Sequence, residues 1–230
     1  AGGSAMTMPF YVAPEQMMKD RADYARKGIA RGRALAGCIS ADGIVLCAEN
    51  PSRMLRKVSE IYDRIGFAGV GKYNEFDQLR IAGIRHADLK GFSFSREDVD
   101  ARSLANQYAQ ILGNVFTHEM KPMEVEILVC EVGESTAEDQ LFHILYDGTL
   151  VDEKNFSVLG GEAEAISDRL GSLWEPGLDR DAAVRATVEA LAGPDRELGP
   201  EELEVAILGR NGDRRCFRRL EDDEVSAAIS

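Results

Sequence analysis

Two short apolar runs set around an Asp-Gly step constrain this chain more than any other feature in it. Residues 34–40 (ALAGCIS) and 44–48 (IVLCA) flank Asp42-Gly43, and neither run alternates between apolar and polar positions. A strand with one wet face alternates, whereas a strand that is apolar throughout is covered on both faces. Asp-Gly between two such runs predicts a tight hairpin. If Asp42-Gly43 is the two-residue turn, Ala41 faces Ile44 and the register carries Cys38 across from Cys47. Reduced, packed thiols are expected at that pair, because a reducing compartment keeps them so; a disulfide is the alternative.

A doubly covered hairpin needs layers above and below it, and the rest of the chain supplies them. Residues 14–27 predict a helix with Pro14 in its first turn and Met18, Ala22, Ala25 and Ile29 on one stripe. Strands are expected at 56–59 and 65–70. Helices are expected at 74–88, with Phe76, Leu79, Gly83 and Ala87 inward, and at 98–117, with Leu104, Tyr108, Ile111, Leu112 and Val115 inward. Strands return at 125–131, 141–146, 150–152 and 156–159. A second helix pair follows at 163–174 and from Asp179, a suitable N-cap, to Gly193. The chain closes with strands at 203–208 and 216–219 around Asn211-Gly212. Strands, helix pair, strands, helix pair, strands is the order of two packed sheets with helices on both outer faces: an α+β, four-layer αββα sandwich with an additional N-terminal helix.

The expected organisation is a cloning scar at 1–5, a short segment at 6–13, one domain over 14–220 and an acidic, frayed tail at 221–230. A net charge of −13 argues against nucleic acid as a partner. No apolar run reaches the roughly 20 residues needed to cross a bilayer, and no signal peptide is evident, so a soluble cytoplasmic protein without a membrane partner is expected. No C-x-x-C pair is present among Cys38, Cys47, Cys130 and Cys216, which argues against a zinc site. His86, His118 and His143 fall on separate elements, and no G-x-S-x-G elbow occurs. The run Gly66–Tyr73 (GFAGVGKY) nearly spells a phosphate loop, but Tyr73 stands where the magnesium-binding Ser or Thr belongs. It reads better as a glycine-rich strand end. No cofactor and no metal are expected, and no acidic pair stands out as catalytic.

Several segments together resemble the proteasome α family in its actinobacterial branch. They are ARKGIARGR at 25–33, AENPS at 48–52, KVSEIYDR at 57–64, VGKYNEF at 70–76, RSLAN at 102–106, YDG at 146–148 and LEVAI at 203–207. The resemblance runs in order from Met6 to about Leu220. It implies the αββα fold of N-terminal nucleophile hydrolases, which the pattern also indicates. Active β subunits of this family begin, after processing, with a threonine at the head of the first strand, whose hydroxyl attacks while its freed amine acts as base. Counting back along the hairpin from Glu49 puts Arg33 there, and the acid-x-Arg run of β subunits is reduced here to Glu49-Asn50-Pro51. The resemblance therefore implies a non-catalytic subunit; a catalytically active β-type threonine protease is the alternative.

What the resemblance implies further is a heptameric ring of this chain capping a ring of β subunits, with unfolded protein substrates in transit. The helix from Pro14 would lie on the outer face. Met6, Thr7, Met8, Pro9, Phe10 and Tyr11 would form the gate over the axial pore. Lys57 matches the lysine that receives the C-terminal tails of activators, either a ring-shaped AAA ATPase or an ATP-independent ring. Its ammonium would pair with the tail carboxylate. Gly71 matches a glycine beside the same pocket, where a side chain would obstruct the tail. The segment 118–123 would border an inner constriction.

Overall fold

A computed structural model describes residues 12–230; the gate assigned to Met6–Tyr11 lies outside the described residues. The leading hairpin pairs β1 (Leu35–Ser40) with β2 (Gly43–Glu49), and every residue of β2 is buried. The other strands are β3 (Val58–Tyr62), β4 (Ile65–Gly71), β5 (Val125–Glu131), β6 (Gln140–Ile144), β7 (Leu150–Glu153), β8 (Phe156–Leu159), β9 (Leu203–Gly209) and β10 (Phe217–Arg219). They form two five-stranded antiparallel sheets, ordered β10-β9-β2-β1-β8 and β3-β4-β5-β6-β7.

Side-chain alternation along the hairpin explains why both faces had to be apolar. Ala36, Cys38, Val45 and Cys47 face an outer core beneath α4 (Ala163–Leu173), α5 (Arg180–Ala192) and α6 (Asp222–Ile229). Leu35, Ile44, Leu46 and Ala48 face a middle core shared with Val58, Ala68, Leu128 and Leu141 of the second sheet. A third core lies on that sheet's far side, where Phe67, Ile127, Phe142 and Ile144 meet α2 (Tyr73–Ser93) and α3 (Ala101–His118). These three cores separate the four layers expected from the sequence. Helix α1 (Pro14–Ala30) lies outside them and reaches the middle core with Ala25 and Ile29, and with the partly buried Ala22, while residues 12–20 are exposed.

Four expectations need correction. The hairpin turn is Ala41-Asp42, since Ser40 pairs with Gly43, and Cys38 therefore faces Val45 while Cys47 faces Ala36. Gly43 is a glycine for another reason: its φ is +143° and a Cβ would stand 2.0 Å from the Leu208 carbonyl oxygen of β9. All four cysteines are free and buried. The third strand begins at Val58, two residues later than expected, because the Lys57 amide bonds a glutamate carboxylate instead of a neighbouring strand. Helix α3 starts after Asp100, whose side chain accepts from the Ser103 amide, while Arg96–Asp98 form a separate 3-10 turn. The end expected to be frayed from Glu221 is α6: Val225 and Ala228 are buried against α5, and Asp222, Asp223 and Glu224 occupy the first turn, where the helix dipole favours acids. No described helix is long and apolar enough to cross a membrane.

Candidate functional site

The site grows from the point where β1 and β2 end together. The Glu49 amide closes the hairpin on the Ala34 carbonyl, which leaves Arg33 at the head of the leading strand. Lys57 reaches this point from the segment before β3. Its Nζ donates to the Arg33 carbonyl at 2.9 Å and to the Glu49 carbonyl at 3.1 Å. An ammonium has three N–H donors, so one remains for an incoming acceptor. Gly71, at the end of β4, borders the same turn, since a Cβ on Gly32 would lie 3.5 Å from the Gly71 nitrogen. The two residues predicted to flank a docking pocket thus converge on Gly32–Arg33.

Gly71 has an internal reason to be glycine. Its φ is +103°, and a Cβ would meet the Glu124 carbonyl oxygen at 2.0 Å, because Lys72 turns back to donate its amide to that same oxygen at 2.9 Å. The near phosphate loop around it is not a loop at all. Residues Ile65–Gly71 pair one by one with β5, and α2 starts at Tyr73.

The segment that delivers Lys57 is fastened at both ends. The Asn50 side chain donates to the Leu55 carbonyl at 2.8 Å and accepts from the Ser52 amide, and Ser52 Oγ accepts from the amides of Met54 and Leu55. Arg53 reaches Asp222 of α6 with one guanidinium nitrogen at 3.0 and 2.9 Å from the two carboxylate oxygens. Beneath the segment lies Glu204 of β9, a carboxylate that is only 2% exposed. It accepts from Asn50 Nδ2, from the amides of Lys57 and Val58, and from Arg219.

Charge at the site is unevenly balanced. Burial pulls the Lys57 ammonium down to about 8; the Glu204 and Glu49 carboxylates oppose this and Arg33 reinforces it. Arg196 holds Glu49 in a two-pronged ion pair at 2.8 and 3.0 Å and keeps that carboxyl below its ordinary range, against the opposing effect of burial. Between Arg33, Glu49, Glu162, Arg169 and Arg196 opens a cleft of 640 Å³. No serine, threonine or cysteine lines it among the described residues. At the head of the leading strand the cleft presents a guanidinium, that of Arg33, beside the Glu49 carboxylate.

Sequence reasoning located Arg33, Glu49, Lys57 and Gly71 and missed Glu204, Arg219, Arg196 and Asn50. One signal was readable: Glu204 is an acid inside an apolar strand, which marks a buried carboxylate with a partner. Nothing local pointed to Arg196 or Arg219. Among the described residues, no group of three or more acidic, histidine or cysteine side chains is placed to hold a metal.

Comparison with known proteins bears on this arrangement. The family model described as "Proteasome subunit" matches residues 29–208. Proteins named "Proteasome subunit alpha" are similar over nearly the whole chain. The one from Acidimicrobium ferrooxidans is 65% identical over 224 residues, covering 97% of both chains. That of Sanguibacter keddieii is 56% identical, covering 94% of this chain and 86% of its own. That of Kineococcus radiotolerans is 55% identical, covering 94% of each.

Proposed function

The chain belongs to the proteasome subunit family, in its actinobacterial alpha branch, and from that premise we propose that it is a non-catalytic outer-ring subunit that gates entry and docks activators. Seven copies form the ring, which caps a ring of β subunits. The observation that carries the reading is the head of β1. Arg33 stands there with its carbonyl engaged by Lys57, and a guanidinium cannot attack a peptide carbonyl.

Lys57 is the residue that receives the activator. Two of its donors are held by Arg33 and Glu49, and the third is offered to a terminal carboxylate, for which an ammonium is a point-charge partner. The exposed half of α1, with Met17 and Met18 more than 40% exposed, is the surface that packs between neighbouring copies. Met6–Tyr11 precede it and form the gate. Substrates are unfolded chains threaded through the pore, and the partners at the outer face are rings with flexible C-terminal tails, whether ATP-driven or not.

The test is Lys57→Ala in particles assembled with a β subunit. Activator-stimulated degradation of protein should fall to the unstimulated rate, while hydrolysis of short peptides persists. Stimulation equal to that of the parent particle would remove the docking role.

A further inference from the structure

We propose that Glu204 is the positioning residue for the docking lysine: its buried carboxylate fixes the backbone at Lys57 and Val58 and places a negative charge close to the Lys57 side chain. The inference rests on the docking role of Lys57 for its functional meaning, though not for its test.

The case begins with cost. An ionised carboxylate that is 2% exposed is unfavourable unless its oxygens are matched by donors. Glu204 is matched in full, and its donors are not spread over the core. Oε1 accepts from Asn50 Nδ2 at 2.9 Å and from the Lys57 amide at 2.8 Å. Oε2 accepts from the Val58 amide at 3.1 Å and from Arg219. Three of the four donors therefore belong to the single segment that carries the docking lysine. Arg219 does not draw the carboxylate elsewhere, because its other terminal nitrogen donates to the Val58 carbonyl at 2.8 Å. The backbone of Val58 is thus gripped on both its N–H and its C=O by one ion pair.

Geometry then divides the labour. The Lys57 backbone is held by β9, while its Nζ is held by the carbonyls at the head of β1 and the end of β2. The side chain spans a fixed gap between two fixed points, so its free N–H has one direction. Such pre-organisation lowers the entropy lost on binding. The charges that face the ammonium come from every element around it: Glu204 from β9, Glu49 from β2 and Arg33 ahead of β1, with Arg219 and Arg196 neutralising part of the two carboxylates. Removing the Glu204 charge leaves burial and Arg33 less opposed, so the neutral amine becomes more populated.

The experiment is competitive acetylation of the full chain with acetic anhydride across pH 6 to 10, read at Lys57 by mass spectrometry. Only the neutral amine reacts, so the profile reports its protonation. In Glu204→Gln the midpoint should fall, and labelling at pH 7 should rise about two- to threefold, the change that half a unit brings below a midpoint near 8. Glu204→Asp, which keeps the charge, should return the midpoint toward that of the parent chain. A purely structural role would loosen the segment, relieve the burial of the ammonium and move the midpoint upward instead. Hydrogen exchange on the unsubstituted chain supplies a reading that needs no variant: the Lys57 and Val58 amides should be strongly protected. An unchanged or raised midpoint in Glu204→Gln, or exchange of both amides at the rate of exposed groups, overturns the proposal. If the midpoint falls while Lys57→Ala particles still respond to activator, Glu204 positions Lys57 and it is the docking role that fails.

Discussion

Replacing Gly71 by alanine separates two reasons for a glycine beside Lys57, the lysine proposed to dock activators. One is room for an incoming tail. The other lies within the subunit: a φ of +103° and a Cβ that would come 2.0 Å from the Glu124 carbonyl oxygen. Backbone strain of that kind costs an L-residue about 1–3 kcal/mol. Relieving the overlap requires the end of β4 and the Glu124–Val125 step to part by roughly 1 Å, which adds about 1–3 kcal/mol as overpacking does elsewhere. A total of about 4 kcal/mol follows, or roughly 8–16 °C in Tm for a chain of this length. Thermal unfolding of the purified chain without any activator, at matched protein concentration, measures it. A Tm within about 2 °C of the parent chain would refute the backbone argument and leave open space for a ligand as the reason for the glycine.

Two further outcomes are expected. Val225→Ala removes two methyl groups from a side chain on the buried face of α6 and should cost about 2 kcal/mol, whereas a frayed terminus would show no change in unfolding. His143 lies between Glu126 at 2.7 Å and Glu153 at 3.6 Å; burial alone would lower its pKa, but the two carboxylates outweigh that and push it up to about 9. Its contribution to stability is therefore fully present below about 6.5 and is lost as pH rises through about 9, and an NMR titration of the imidazole with a midpoint at or below 6.5 would contradict this.

What the residues disclosed and what they hid follow from the range of the interactions. A hairpin that is apolar at every position announces two covering layers, and the three cores separating four layers realise that directly. Its register was not legible, because Gly43 answers to the Leu208 carbonyl on β9, some 165 positions away, and not to the turn beside it. The Arg33 position was recoverable by counting along one hairpin. The carboxylate beneath Lys57 was not, since Glu204 meets Val58 across a separation of 146 residues. Acid-rich composition misled at the other end of the chain. Asp222, Asp223 and Glu224 suggest a frayed tail, yet they form the solvent-facing first turn of a helix whose Val225 and Ala228 face inward. Composition records how many charges there are, and helical spacing decides which side they take.

Native mass spectrometry of the chain co-assembled with a β subunit tests the central claim most directly, because it reports assembly and processing together. The account predicts rings of seven copies in which each polypeptide retains the residues ahead of Arg33. A polypeptide shortened by about 30 residues, so that β1 starts with a newly exposed nucleophile, would contradict it.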